Sequence, residues 1–281
     1  MITIEKIRDM KRKIDELKNA GKKIGFVPTM GYLHKGHLSL VEISKSISDI
    51  TIVSIYVNPK QFLPGEDFER YPRDIKRDKD LLVEAGCDIL FLPDDNEMYP
   101  EGYLTYVSVQ KLSKILCGHS RPGHFDGVTT VVLKLFNIVK PDYAIFGEKD
   151  YQQLIIIKKM VQDLNLDVKI IPGKIIREED GLAMSSRNVY LSKEEREQAL
   201  CLYKSLNLAK DLVKNGLKDT EKIISEINNF IKKFDKAEID YVKIVDSENL
   251  EELKEIKDRA RLLLAVRIGK TRLIDNCELS L

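Results

Sequence analysis

Residues 24–41 read Ile24-Gly25-Phe26-Val27-Pro28-Thr29-Met30-Gly31-Tyr32-Leu33-His34-Lys35-Gly36-His37-Leu38-Ser39-Leu40-Val41, and the order of residue types in this stretch decides the fold. The apolar run Ile24 to Val27 predicts a buried strand. Leu38, Leu40, Val41 and Ile43 predict an amphipathic helix. His34 and His37 are about one helical turn apart, so both imidazoles point the same way at the helix start. Gly36 between them allows a ligand close to the backbone. A helix N-terminus offers N–H groups and the positive end of a dipole, which together favour phosphate. Strand, turn, two imidazoles and helix start point to a nucleoside triphosphate handled at its phosphates. A His-x-x-His pair is also found as a metal pair, but two ligands rarely suffice and no third His or Cys lies nearby in sequence.

Outward from this stretch the alternation continues. Apolar runs at Ile24–Val27, Ile50–Val57, Asp88–Leu92, Asp142–Phe146 and Val168–Ile171 predict strands, with helices between them over 37–48, 73–86, 126–140 and 149–163. Strands separated by helices give right-handed βαβ units and a parallel sheet. The fold class is therefore α/β, a Rossmann-like parallel sheet whose ligands bind at the carboxyl ends of its strands. After Pro172-Gly173 the pattern changes. Residues 193–215 and 219–235 predict two Lys/Glu-rich helices, followed by strands over 238–246, 261–268 and 271–277. Gly269-Lys270 joins the last two as a tight turn. The expected division is a catalytic domain over 1–175 and a small α+β C-terminal lid domain over 176–281. The charged run 247–259 is expected to be a solvated face.

Lys+Arg is 46 and Asp+Glu is 45, so the net charge of +1 gives no footprint for coating nucleic acid. Cys87, Cys117, Cys201 and Cys277 lie far apart and form no Cys-x-x-Cys, as expected of a reducing, cytoplasmic compartment. No apolar run approaches the roughly 18 residues that a membrane span needs. The N-terminal segment lacks the apolar core of a signal peptide. Its Ile4, Ile7, Ile14 and Leu17 predict the packed face of a first helix. A chain of 281 residues has room for two cores.

Four further stretches carry chemistry-bearing residues. In Val57-Asn58-Pro59-Lys60-Gln61-Phe62, Pro59 has no N–H and ends the ladder. Asn58 and Gln61 then offer neutral amides to a small hydroxyl- and carboxylate-bearing substrate, or simply form a polar turn. The adjoining Glu66–Asp74 run, charged and aromatic, reads equally as a closing lid or an exposed loop. Cys117 to Val128 holds His119 and His124 with Arg121 and three glycines, a loop built around a ligand or a backbone contact. Arg121 reads equally as a structural partner for a carboxylate. In Phe146 to Gln153, Lys149 and a helix start both favour an anion, Gly147 permits backbone approach, and Gln153 falls one turn after Asp150. Met184-Ser185-Ser186-Arg187 places two hydroxyls beside an always-charged guanidinium, groups that grip triphosphate oxygens.

The Thr-x-Gly-x-x-His-x-Gly-His context resembles the HxGH signature of the nucleotidylyltransferase superfamily, and Met184–Arg187 is similar to that superfamily's KMSKS-type loop. The full PTMGYLHKGH and the GEKDYQQL string are similar to the pantothenate synthetase family, the pantoate–β-alanine ligases. The matching stretches follow one order from residue 28 to 188. This resemblance implies ATP-dependent condensation of (R)-pantoate with β-alanine to pantothenate through a pantoyl-adenylate, releasing AMP and pyrophosphate. It implies nucleotide contacts from Met30, Gly31, Tyr32, Leu33, His34, Lys35, Gly36, His37, Gly147, Glu148, Lys149, Asp150, Ile176, Met184, Ser185, Ser186 and Arg187. Catalysis falls to His37, His34, Lys149 and Arg187, with His37 as proton donor to phosphate oxygens, and Gln61, Gln153 and Asn58 hold pantoate and β-alanine. Mg2+ is expected on the pyrophosphate, with no protein ligand assigned. The family also implies a homodimer with small-molecule substrates and no nucleic-acid or membrane partner. Two alternatives stay open: a nucleotidyltransferase of the same superfamily, and a non-catalytic nucleotide- or RNA-binding module, against which the near-zero net charge counts.

Overall fold

A computed structural model describes residues 1–281. The chain divides into two compact units, Met1–Glu148 with Gln153–Lys174, and Lys149–Gln152 with Ile175–Leu281. Four residues of the GEKDYQQL string, 149–152, thus group with the C-terminal part of the chain.

The first unit runs β1 (Ile2–Ile4), α1 (Ile7–Asn19), β2 (Ile24–Thr29), α2 (Lys35–Ile47), β3 (Ile50–Ile55), α3 (Ile75–Glu84), β4 (Ile89–Phe91), α4 (Asp95–Met98), α5 (Cys117–Ser120), α6 (His124–Val139), β5 (Tyr143–Gly147), α7 (Tyr151–Asp163, whose first two residues group with the second unit) and β6 (Lys169–Gly173). The six strands are all parallel, in the order β1-β4-β3-β2-β5-β6. Strand β2 therefore has β3 on one side and β5 on the other. The chain leaves these neighbours in opposite directions, which opens a crevice at their carboxyl ends. Val27, Leu33, Leu40, Val41, Val53, Leu90 and Ile145 pack into one core beneath that edge. At the opposite end of the strands Asp142 accepts from Lys18 Nζ at 2.6 Å and from the Ile24 amide at 2.7 Å. Burial pushes the Asp142 carboxyl up, but these hydrogen bonds and the Lys18 charge outweigh it and hold it below the usual range.

Two expectations are corrected here. Ile4 lies not on the first helix but in β1, an edge strand paired with β4 through Ile4 and Phe91. Three residues are too few for a strand period to show in sequence, and α1 buries the expected Ile14 together with Met10, with Ile7 and Leu17 half-buried. The strand expected to reach Val57 stops at Ile55, and the Tyr56 amide bonds the Thr29 carbonyl at 3.0 Å. Pro59 then begins a 3-10 turn, Pro59–Gln61, rather than ending the ladder itself.

The second unit has α8 (Lys193–Lys214), α9 (Thr220–Ile231), β7 (Ala237–Val245), β8 (Arg259–Ile268) and β9 (Thr271–Ser280). Its sheet is antiparallel in the order β7-β8-β9. Gly269 and Lys270 form the two-residue turn, with Gly269 at φ +55°. One face of the sheet, with Leu262, Leu264, Val266 and Leu273, packs on α8 and α9 through Leu202, Leu206, Ile223 and Ile227. The 247–259 run is largely solvated, although Leu250 and Ile256 are buried. All four cysteines are free and buried. Burial pushes the thiols up to about 11 for Cys87, about 12 for Cys201 and about 11 for Cys277. No helix is long and apolar enough to cross a membrane.

Candidate active site

The turn between β2 and α2 is built on a left-handed bend. Gly31 has φ +80° and Tyr32 φ +50°. At Gly31 a Cβ would stand 2.9 Å from Ile55 Cγ2 and 3.0 Å from Asp78 Oδ2, so both the conformation and the space require glycine. Tyr32 holds its conformation at a cost of about 1 kcal/mol, which the surroundings must offset. Asp78, on α3 and fully buried, accepts from the backbone N–H of Tyr32 and of Leu33, each at 2.7 Å. Arg77 donates to the Leu33 carbonyl at 2.8 Å and lies 5.1 Å from the centre of the Tyr32 ring. Burial pushes the Asp78 carboxyl above its ordinary range, against the pull of the two amides and Arg77. The same turn borders a cavity of about 290 Å³ lined by Met30, Tyr32, Tyr56, Arg73 and Asp78.

His34 is the N-cap of α2, and its Nδ1 accepts the Gly36 N–H at 3.2 Å. His37 Nδ1 accepts the His34 N–H at 3.3 Å. The rings lie 4.0 Å apart, tilted by 33°. An Nδ1 that accepts a hydrogen bond carries the lone pair, so the proton of each neutral ring sits on Nε2. Both imidazoles are therefore held as N–H donors, the form that stabilises an anionic oxygen. Lys35 is exposed, and Gly36 and His37 are half-buried.

Asn58 is 1% exposed and spends its amide inside the protein. Its Nδ2 donates to Gln61 Oε1 at 3.0 Å and to the Gly127 carbonyl at 3.1 Å, and its Oδ1 accepts the Lys60 N–H at 3.2 Å. With its carbonyl so engaged, Gln61 turns its Nε2 toward Met30 Sδ, 3.2 Å away. The Gln61 backbone carbonyl is held by His124 Nδ1 at 2.7 Å and Arg121 Nη2 at 3.3 Å. Arg121 can only donate, so His124 Nε2, 3.0 Å from Nη1, carries the lone pair and Nδ1 the proton. Arg121 completes a two-pronged pair with Glu66 at 2.6 and 2.7 Å. Of the two readings of Arg121, the carboxylate partner is the one found. The 62–73 segment is packed: Phe62 meets Phe68 and Tyr71 edge-on at 5.3 and 5.9 Å, and Arg73 ties the carbonyls of Phe68 and Tyr71.

Gly147 ends β5 and Glu148 follows it, and Gln153 lies in the first turn of α7; all three are half-buried. In the second unit Lys149 and exposed Asp150 belong to a 3-10 turn, with Lys149 Nζ 3.8 Å from the Asp150 carboxylate. Ile176 and Met184 come together in a short hairpin: the Met184 amide bonds the Ile176 carbonyl at 3.0 Å, and Arg177 bridges Ala183. Ser185 caps the next 3-10 turn, Ser186–Tyr190, by accepting the Arg187 N–H at 3.3 Å. Ser186 is buried, and Ser185 and Arg187 are half-buried.

Asp78, which sequence reasoning passed over, shapes this site together with Gly127 and His124 of the glycine-rich loop. Asp78 had a signal, since it falls on the apolar stripe Ile75, Asp78, Leu82 of α3. Gly127 had one as well, in the loop read as built around a ligand or a backbone contact: a Cβ there would stand 2.2 Å from the Lys60 carbonyl oxygen.

A family model described as pantoate-beta-alanine ligase matches residues 2–278. Pantothenate synthetases of Caldicellulosiruptor bescii and Acetivibrio thermocellus are each 57% identical over 276 residues, 98% of this chain and 98% of theirs. A crystal structure of pantothenate synthetase from Thermus thermophilus is 44% identical, with a TM-score of 0.94 over 99% of both chains. A pantoate-beta-alanine ligase from Francisella tularensis, complexed with beta-gamma ATP and beta-alanine, is 39% identical with a TM-score of 0.82, covering 99% of this chain and 97% of that one. With the signature turn, the strand order and these likenesses in agreement, the chain belongs to the pantoate–β-alanine ligase family.

Proposed function

We propose that this protein condenses pantoate with β-alanine at the expense of ATP, giving pantothenate, AMP and pyrophosphate. A carboxylate has no usable leaving group, so the reaction takes two steps. A pantoate carboxylate oxygen attacks the α-phosphorus, the bond to the bridging oxygen breaks, and pyrophosphate leaves. The β-alanine amine then attacks the acyl carbon of the resulting mixed anhydride, the acyl C–O bond breaks, and AMP leaves as the amine gives up a proton.

The first step brings two anions together, so positioning and charge stabilisation dominate. In this reading His34 and His37 donate hydrogen bonds from Nε2 to phosphate oxygens; a neutral His37 keeps that proton, so the residue expected as proton donor acts as a hydrogen-bond donor. The observation that carries the assignment is that both Nδ1 atoms accept backbone N–H groups. Lys149, Ser185, Ser186 and Arg187 grip the triphosphate by charge and hydroxyl donors. Met30, Gly31, Tyr32, Leu33, Lys35, Gly36, Gly147, Glu148, Asp150, Ile176 and Met184 frame the nucleotide. Gln61 and Gln153 hold pantoate and β-alanine, and the buried Asn58 serves by orienting Gln61. No three His, Cys, Asp or Glu side chains gather into a metal cage. Mg2+ needs no such cage, because it keeps several waters and binds through phosphate oxygens, and no side chain is assigned to it. When bound, Mg2+ neutralises charge on the pyrophosphate.

The protein acts as a homodimer in the cytoplasm in this reading. Leu104, 88% exposed, and Tyr106, 52% exposed, lie in a segment outside every strand and support a second copy as their cover. Four unpaired cysteines suit a reducing compartment.

The test is AMP release from ATP and Mg2+ with pantoate, with and without β-alanine. AMP that needs both acids is the expected result. Pyrophosphate release only with a phosphate-bearing acceptor would overturn it.

A further inference from the structure

Strand β9 carries an adjacent polar pair, Asp275 and Asn276, 2% and 1% exposed. A buried carboxylate and amide cost free energy unless their polar atoms are engaged, and an apolar pair of similar volume would serve the core as well or better. Successive side chains of a strand point to opposite faces. Each face here meets a different element of the nucleotide site proposed above.

On one face Asn276 Nδ2 donates to the backbone carbonyl of Lys149 at 3.0 Å, and its Oδ1 accepts from Arg261 Nε at 2.9 Å. The Arg261 guanidinium lies 3.9 Å from the centre of the Tyr151 ring, and the Tyr151 hydroxyl donates to the Ser247 carbonyl at 2.9 Å. Residues 149–151 are thus fixed at both main chain and ring. On the other face Asp275 accepts from Arg177 Nη1 and Nη2 at 2.6 and 3.0 Å. Arg177 also donates to the Gly181 carbonyl at 3.0 Å and stands 4.8 Å from the centre of the Tyr203 ring. It opens the hairpin whose return strand delivers Met184, Ser185, Ser186 and Arg187. Asp275 Oδ1 further accepts the Asn276 N–H at 2.8 Å, which joins the two halves.

We infer that Asp275 and Asn276 are positioning residues for ATP: one dipeptide sets Lys149 from one face of the sheet and the Met184–Arg187 loop from the other. Neither is assigned a contact with substrate. The inference rests on the reading that Lys149 and Ser185–Arg187 grip the triphosphate.

Asn276→Asp keeps the size and the acceptor for Arg261 but loses the donor to Lys149. The expected result is a KM for ATP raised roughly tenfold, the cost of one well-placed hydrogen bond. The KM for pantoate stays within about twofold, and pantoate-dependent ATP–pyrophosphate exchange falls with ATP affinity. Asp275→Asn, which weakens the Arg177 pair while keeping its shape, shifts the same constant. A lowered Tm with an unchanged KM for ATP in a folded variant marks a merely structural role and overturns the inference. If Asn276→Asp does not fold, Asp275→Asn and Asn276→Ser decide by the same split. Lys149→Ala is the reference. Loss of ATP saturation there, with parent-like Asn276 and Asp275 variants, overturns the inference and leaves the site reading standing. Indifference of Lys149→Ala to ATP overturns both.

Discussion

His34 caps the helix on which His37 sits, and His37 in turn accepts the amide hydrogen of His34 at 3.3 Å. The two rings thereby fix each other's tautomer through the backbone. His37→Ala removes the proposed hydrogen-bond donor to phosphate and one cap bond together. Adenylation, read as pantoate-dependent ATP–pyrophosphate exchange, is expected to fall at least ~100-fold. Folding is expected to lose only about 1 kcal/mol, as for a lost cap. Parent-like exchange in a folded His37→Ala protein would remove the histidine from the mechanism.

Asp78→Asn replaces an acceptor of two N–H bonds with a group that meets one of them donor to donor. Tyr32 then keeps its left-handed bend without full support. Stability is expected to fall by about 1–3 kcal/mol, the cost of an unsatisfied buried amide. Because the bend leads directly into His34, the rate of adenylation should fall as well. Thermal unfolding and single-turnover kinetics on one preparation test both effects, and an unmoved rate would disconnect Asp78 from the histidines.

Gly127→Ala drives a methyl group into the Lys60 carbonyl, and the Gln61 amide nitrogen lies only 2.7 Å from the added carbon. Neither neighbour is a flexible side-chain end. The turn bearing Gln61 must move, at a cost of about 1–3 kcal/mol. The expected kinetic signature is a raised KM for pantoate with little change for ATP. A KM change confined to ATP would contradict the placement of Gln61 on the acid substrate.

Glu66 supplies a pH test. Burial pushes its carboxyl up, but hydrogen bonds and charge from Arg121 outweigh it and leave it below the ordinary 4.5. A carboxyl with a lowered folded value adds stability that is present above its unfolded value and lost as pH falls through the folded one. The parent should therefore be more stable than Glu66→Gln near neutral pH, and the gap should close as pH drops below about 4. A gap in Tm independent of pH between 7 and about 3 would show that the ion pair with Arg121 contributes nothing.

Much of this was legible in sequence because the signals were local. The run Ile24–Val27, the His34 to His37 spacing and the Gly269-Lys270 turn each declare themselves within a few residues, and each is found where expected. Strand β1 was hidden, since Ile2–Ile4 pairs with Ile89–Phe91 across most of the first half of the unit. The inward role of Asn58 was hidden for the same reason: its partner Gly127 lies 69 positions away. Asp275 left a trace, because it stands in a period-2 row with Leu273, Cys277 and Leu279 that is otherwise apolar. A charge in such a row signals a partner, but only the fold names Arg177.

The buried thiols have a practical consequence. Cys87, Cys201 and Cys277 are shielded from solvent and carry little thiolate near neutrality, and Cys117 is only 7% exposed. The native chain is thus a dark background for maleimide chemistry. A cysteine placed at Val189, 56% exposed and two positions beyond Arg187, would be a single addressable handle for a fluorophore. No native cysteine would need to be removed before watching that loop in real time.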